Sequence, residues 1–313
     1  MARRTLGVSM VEVRLLGRPG DGKIPLDEIG PSGLLDLVRS WAGKQPDLTD
    51  PRRKIYTEVR DVHHLSRAVL LRVSTGSWGD DQREIVNIGG KGSRTPVDAD
   101  DASTVGTRAL FLCPPGADTA LYFSEREGNF VGGTRAWDAI DVLIAGQGKV
   151  PDRNGILRSL NAEKVSVTLG KEWLAAAELR EVGVRRHRPA QSWGSDEGPD
   201  ELVYEQTLRP KQKGHLPKRI LTRVLESSSK IEAADIVGLP GDGEVDRVTL
   251  TVEDGERTKT FEMSNPKSPA LREVLNEHGE DVLDNDQFID VCGDLAETFY
   301  TGLEEAFAYD WLR

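Results

Sequence analysis

Between Leu208 and Ser229 the chain reads LRPKQKGHLPKRILTRVLESSS, and six of its side chains, Arg209, Lys211, Lys213, Lys218, Arg219 and Arg223, are cationic with no acid until Glu226. Guanidinium and ammonium groups gathered this closely can hold phosphate without any cofactor. With Pro217 as the first helical residue and about 100° per residue, Lys218, Arg219, Thr222, Arg223 and Glu226 fall within a polar arc of roughly 140°. Ile220, Leu221, Val224 and Leu225 fill the opposite arc. Arg209, Lys211 and Lys213 lie in the approach to this helix, whose first backbone N–H groups also favour phosphate. A second cluster, Arg185, Arg186, His187 and Arg188, ends an earlier strand. The end of one antiparallel strand and the start of its neighbour can lie close together, so the two clusters are able to meet. The acids Asp196, Glu197, Asp200 and Glu201 intervene in sequence.

Two readings compete for these cations. A polar helix face commonly carries charge only to stay solvated; the sharper reading is a phosphate-contacting surface. The whole chain has a formal net charge of −11, so its mean field repels nucleic acid and any binding has to come from a local patch. No aromatic residue is interleaved between Arg209 and Arg223, which weighs against stacking on single strands and for contact with the duplex backbone. There is no zinc-finger spacing, basic zipper or helix-turn-helix to read bases. The expectation is sequence-non-specific binding of double-stranded DNA.

Other chemistry is weaker. RPGDGK, GGKGSR and GQGK resemble phosphate loops, but none has the full Walker spacing followed by a helix, and turns are the simpler reading. His63 and His64 are adjacent, so on a strand they point to opposite faces and cannot share a metal. His187, His215 and His278 lack a matching ligand spacing. Asp47, Glu58 and Arg60 echo the acidic pair plus lysine of metal-dependent nucleases, with arginine in the place of lysine. Cys113 and Cys292 fall in no nucleophile motif, and two cysteines are too few for a disulfide framework or a four-thiolate zinc site. The expectations are no catalytic set, no metal and no cofactor. A protein-interaction module without DNA binding, or a metal-dependent nuclease, remains the alternative.

The 313 residues leave room for two domains. VEVRLLG reads as a strand, and PSGLLDLVRSWAGK as a helix with Leu34, Leu35, Val38 and Trp41 inward and Gly43 as C-cap. KIYTEVRDVHHLSRAVLLRVSTG, REIVNIGG and GTRALFLCPPGADTALYFSEREG read as strands, the last pair about a Pro-Pro-Gly turn. TRAWDAIDVLIAGQG reads as a helix with Trp137, Ile140, Leu143 and Ile144 inward. GQGKVPDRNG then suggests a boundary near Gly155. Beyond it come a strand KVSVTL, a helix KEWLAAAELREV, strands around VGVRRHRP and LVYEQTL, the basic helix, and the strand RVTLTVED, a βαββαβ order. ERTKTFEM adds a further strand. Phe288, Cys292, Leu295, Phe299, Leu303 and Phe307 form the stripe of a long amphipathic helix whose partner is either the N-terminal sheet or a second copy of the chain. The fold class is α+β, mostly antiparallel sheets with packed helices. One domain comprises 1–155 with 262–313; the other, 156–261, carries the basic helix and is a candidate for dimerisation. No run reaches the ~18 apolar residues of a membrane span, and the first residues lack a signal peptide's apolar stretch and cleavage site, so a cytoplasmic location is expected.

The order of elements also resembles a family. RALFLCPPGADTALYFSEREGNFVGGTRAWDAIDVLIAGQGKV is similar to the strand, strand, helix passage of the RexA-like phage exclusion proteins of temperate bacteriophages. WLAAAELREVGVRRHRPAQSWGSDEGPDELVYEQTLRPKQKGHLPKRILTRVLE resembles their passage from a helix through an acidic connection and a strand ending in Lys-Pro-Lys to a basic helix. The similarity spans about Val11 to Tyr309, with a longer insertion around RRHRPAQSWGSDEG and a more acidic C-terminal helix. The resemblance implies a cytoplasmic, dimeric, non-specific DNA-binding protein of a prophage, acting in phage exclusion or the lysis–lysogeny balance. It also implies a membrane-protein partner and a distant kinship to RdgC, a ring-shaped duplex binder. Arg209, Lys211, Lys213, Lys218 and Arg219 occupy the family's basic motif. Arg223 rests on the helical wheel, and Arg185, Arg186 and Arg188 on clustering.

Overall fold

A computed structural model describes residues 4–18, 20, 22–78, 84–87, 93–96, 102–128, 130–166, 178–189, 201–211, 214–227, 229–238, 244–254, 257–265, 268–276, 280–302 and 307–313. The strands are β1 (Arg4–Leu15), β2 (Ile55–His64), β3 (Ala68–Ser77), β4 (Glu84–Asn87), β5 (Ser93–Pro96), β6 (Ser103–Leu112), β7 (Thr119–Glu127), β8 (Lys149–Pro151), β9 (Leu157–Ser166), β10 (Glu178–Pro189), β11 (Glu201–Leu208), β12 (Glu244–Asp254), β13 (Arg257–Asn265) and β14 (Ser268–Asn276). The helices are α1 (Leu34–Ala42), α2 (Gly132–Ala145), α3 (Lys218–Glu226), α4 (Lys230–Ile236) and α5 (Asn285–Gly302). The fold is α+β, with antiparallel pairing throughout. A 12-stranded sheet runs β11-β10-β12-β13-β14-β1-β7-β6-β3-β2, with β9 beside β1 and β8 beside β9; β4 and β5 pair apart from it.

Side chains alternate between faces along a strand, and both faces of the central strands are buried, which is why β3 reads as the unbroken apolar run AVLL. On one face Leu6, Val8, Leu70, Leu110, Leu121 and Phe123 share a core with Val182, Val184, Leu250 and Val252, under α3, α4 and α5. On the other, Val11, Val69, Leu71, Val73, Phe111 and Tyr122 pack with α1 and α2. The first turn of α2 lies almost on the backbone beneath it. The Tyr122 hydroxyl donates to the Gly133 carbonyl at 2.5 Å, and a Cβ on Gly133 would sit 2.2 Å from Ser124 Oγ, so only glycine lets the helix come this close.

The C-terminal stripe finds its partner in the N-terminal sheet: Phe288, Cys292, Leu295 and Tyr300 are buried in the first core. Burial raises the Cys292 thiol well above its ordinary pKa and pushes Cys113 up to about 12, which keeps both protonated and poorly reactive. Among the described residues α5 ends at Gly302, and Leu303 lies outside them. Phe307 belongs to the short segment after the helix, where its ring stacks on Tyr300 at 6.2 Å.

Two segments differ from the sequence expectations. The helix expected over KEWLAAAELREV does not extend past residue 177, because Glu178 opens β10; residues 167–177 lie outside the described ones. A bulge explains the misreading. The register shifts between Leu179 and Glu181, so one extra residue separates the inward-facing Leu179 and Val182, and a strand acquires helix-like spacing. SPALREVLN, unassigned from sequence, is β14, paired to β13 and to Arg4–Gly7 of β1. Gly155 lies in the turn between β8 and β9, and β9 pairs with Ser9–Leu15 of β1.

Candidate nucleic-acid interface

Helix α3 starts one residue later than expected, with Pro217 as its N-cap. Leu221 and Val224 are buried in the core with Val182 and Val184 of β10, and Ile220 packs partly against them. The side chain of Leu225 lies outside the described residues. Lys218, Arg219, Thr222, Arg223 and Glu226 are exposed, on the arc the helical wheel assigns them. The apolar face therefore fixes the helix to the sheet and turns its cations outward together.

The approach is pinned by hydrogen bonds and charge. The Leu216 N–H donates to the Leu179 carbonyl at 2.6 Å. His215 lies between two carboxylates, Nδ1 at 2.8 Å from Glu178 and Nε2 at 2.7 Å from Glu253. The hydrogen bond from His215, with help from Arg180, lowers the pKa of Glu253. Arg209 pairs with Glu181 at 2.6 Å. These acids partly neutralise the approach, and sequence reasoning missed them: the β10–β12 register sets Glu178 opposite Glu253, a pairing across 75 positions that no local spacing shows. Among the described residues no carboxylate pairs with Lys211, Arg219 or Arg223. Lys213 lies outside the described residues.

The second basic cluster is divided by the pleat. Arg186 faces the same side as Val182 and Val184 and is 2% exposed, so it cannot reach a surface ligand in this form. Arg185 points to the opposite side of the sheet from α3, with Glu205 and Arg247 as its cross-strand neighbours. The side chain of Arg188 lies outside the described residues. The two clusters do not form one patch through Arg185 and Arg186.

Asp47 and Glu58 are brought together by a backbone bridge, but their carboxylates are engaged locally. Asp47 accepts from the Thr49 N–H at 2.9 Å; Glu58 accepts from the Tyr56 hydroxyl at 2.5 Å and lies 3.4 Å from Arg60. His63 reaches Asp61 at 3.0 Å. Among the described residues no group of three or more His, Cys, Asp and Glu is arranged to hold a metal, and no helix is long and apolar enough to cross a membrane. No protein-family model, no curated protein and no solved structure matches the chain.

Proposed function

We propose that the protein binds duplex DNA through its phosphates, without reading base sequence and without catalysis, using the outward face of α3 together with Lys211. The observation that carries this reading is a helix whose first-turn charges oppose its own dipole. The first turn of α3 holds Lys218 and Arg219, has no acid, and has no side-chain cap. Cations at the positive end of a helix are unfavourable by about 0.3–1 kcal/mol each at an exposed site. A face kept only for solubility gains nothing from that placement. A phosphate at this end would face the first N–H groups of the helix and the cations at once, turning a local cost into a binding gain.

The resemblance to RexA-like proteins extends the reading to a prophage protein acting in phage exclusion or the lysis–lysogeny balance, in the cytoplasm of the bacterial host, as a homodimer with a membrane-protein partner. Replacing Lys211, Arg219 and Arg223 together by Ala tests the surface. Gel shifts on several unrelated duplexes are expected to weaken about tenfold or more, and to the same extent on each, with an unchanged circular dichroism spectrum. Equal binding by the variant would refute the assignment.

A further inference from the structure

The sheet face beneath α5 changes character at one level. On β3 the inward row runs Ala68, Leu70, Arg72, Ser74, Gly76, and on β6 it runs Leu112, Leu110, Arg108, Gly106, Thr104, in register from Ala68 opposite Leu112 to Gly76 opposite Thr104. The apolar part lies under α5. The polar part, beside the start of that helix, forms the floor of a cleft of about 960 Å³ lined by Arg60, Arg72, Ser74, Thr104, Gly106 and Asn285 among others.

Three features point to a ligand here. Arg72 stands in the middle of β3, beside the edge strand β2 and opposite Asp61 in the register; it is exposed, and among the described residues no ion pair or hydrogen bond engages it. Its neighbours' charges are already used: Arg108 and Arg4 both bind Glu125, at 2.8 and 3.1 Å. Secondly, a Cβ built on Gly106 would meet nothing within 4 Å. Glycine inside a strand costs stability and often marks a close approach by another molecule, and here it widens the cleft. Thirdly, the register of β2 against β3 shifts between Val59 and Asp61, so Arg60 is an extra residue of the kind that re-aims a side chain at sites.

We propose that this cleft binds a phosphorylated, hydroxyl-rich small molecule of the sugar-phosphate class. Arg72 holds the phosphate, whose oxygens match the guanidinium fork; Arg60, which pairs with Glu58 at 3.4 Å, stands beside it. Ser74, Thr104 and Asn285 meet the hydroxyls, and Asp61 and Asp286 at the same cleft accept further hydroxyl hydrogens. No aromatic ring among the described residues lines the cleft, so it offers no platform for stacking a nucleobase.

Isothermal titration of the full chain with glucose-6-phosphate, ribose-5-phosphate and glycerol-3-phosphate tests this, with glucose, glucuronate and inorganic phosphate as separate arms. At least one sugar phosphate is expected to bind with a Kd below about 1 mM, and glucose not at all. Arg72→Ala should weaken it about tenfold or more. Gly106→Val, whose Cβ would meet nothing within 4 Å and which narrows the cleft, should do the same, while Arg219→Ala/Arg223→Ala leaves it unchanged. Absence of binding by all three sugar phosphates, equal binding of glucose or of inorganic phosphate alone, or affinity that survives both cleft variants would overturn the proposal. Tighter binding of glucuronate would replace phosphate with carboxylate as the recognised group and overturn the class named here.

Discussion

Arg108 is buried with its charge because every direction of its guanidinium is answered. Nε and Nη2 donate to Glu125 at 2.9 and 2.8 Å, and Nη1 donates to the Leu283 and Asp284 carbonyls at 2.8 and 2.7 Å. The group lies 4.3 Å from the centre of the Phe288 ring. Since Glu125 is fully buried, Glu125→Gln leaves the Arg108 charge without its counter-ion and is expected to cost about 3–5 kcal/mol in urea unfolding; a loss below about 1 kcal/mol would mean that the pair is no more important than a surface bridge. Asp27 gives a pH test. The Gly116 N–H and the Arg67 guanidinium hold its carboxyl below the ordinary value of 3.8. A depressed folded-state pKa adds stability that is present above the unfolded pKa and lost as pH falls through the folded one. The wild type should therefore exceed Asp27→Asn in stability at pH 6 and lose that excess in the window below about pH 3.8; an excess independent of pH would rule out the charge as its source. At this scale the sequence was only partly legible. The exposed cations of α3 follow from a helical wheel. The arginines of β3 and β6 sit inside apolar strings, and only the strand register shows that Arg72 faces Arg108 across one cleft floor.

Elements were legible where one periodicity ruled. Helix α1 ends at Gly43 with Leu34, Leu35 and Val38 buried, as the spacing predicts, because a helix on one sheet face needs one apolar stripe. Strands with both faces covered, or with bulges, hide their period. The extra residue at Arg180 made β10 look helical, and β14 owes its existence to pairing on both edges more than to its own residues, as strand propensity generally does. Helix α3 shows local stability set against the proposed role. Arg219→Glu places an acid in the first turn, so helix stability should rise by about 0.3–1 kcal/mol while duplex affinity falls. Thermal unfolding and gel shifts on the same variant read both. A fall in both, or a rise in both, would break the link between dipole and binding.

For the whole molecule, a net charge of −11 has to be reconciled with the proposed phosphate-binding face. At physiological salt the Debye length is about 8 Å, so acids elsewhere on the chain are largely screened at the exposed face of α3, whereas Glu178, Glu181 and Glu253 beside its approach are not. The sheet supplies the separation: it holds α3 by Leu221 and Val224 and directs its cations away from the core. The most direct test of this balance is a salt titration of binding to unrelated duplexes of equal length. The expected result is one straight line of log affinity against log salt for all of them, with a slope of about −0.9 for each phosphate neutralised, made shallower when Arg219 and Arg223 become Ala. Affinity indifferent to salt, or confined to a single duplex sequence, would contradict it.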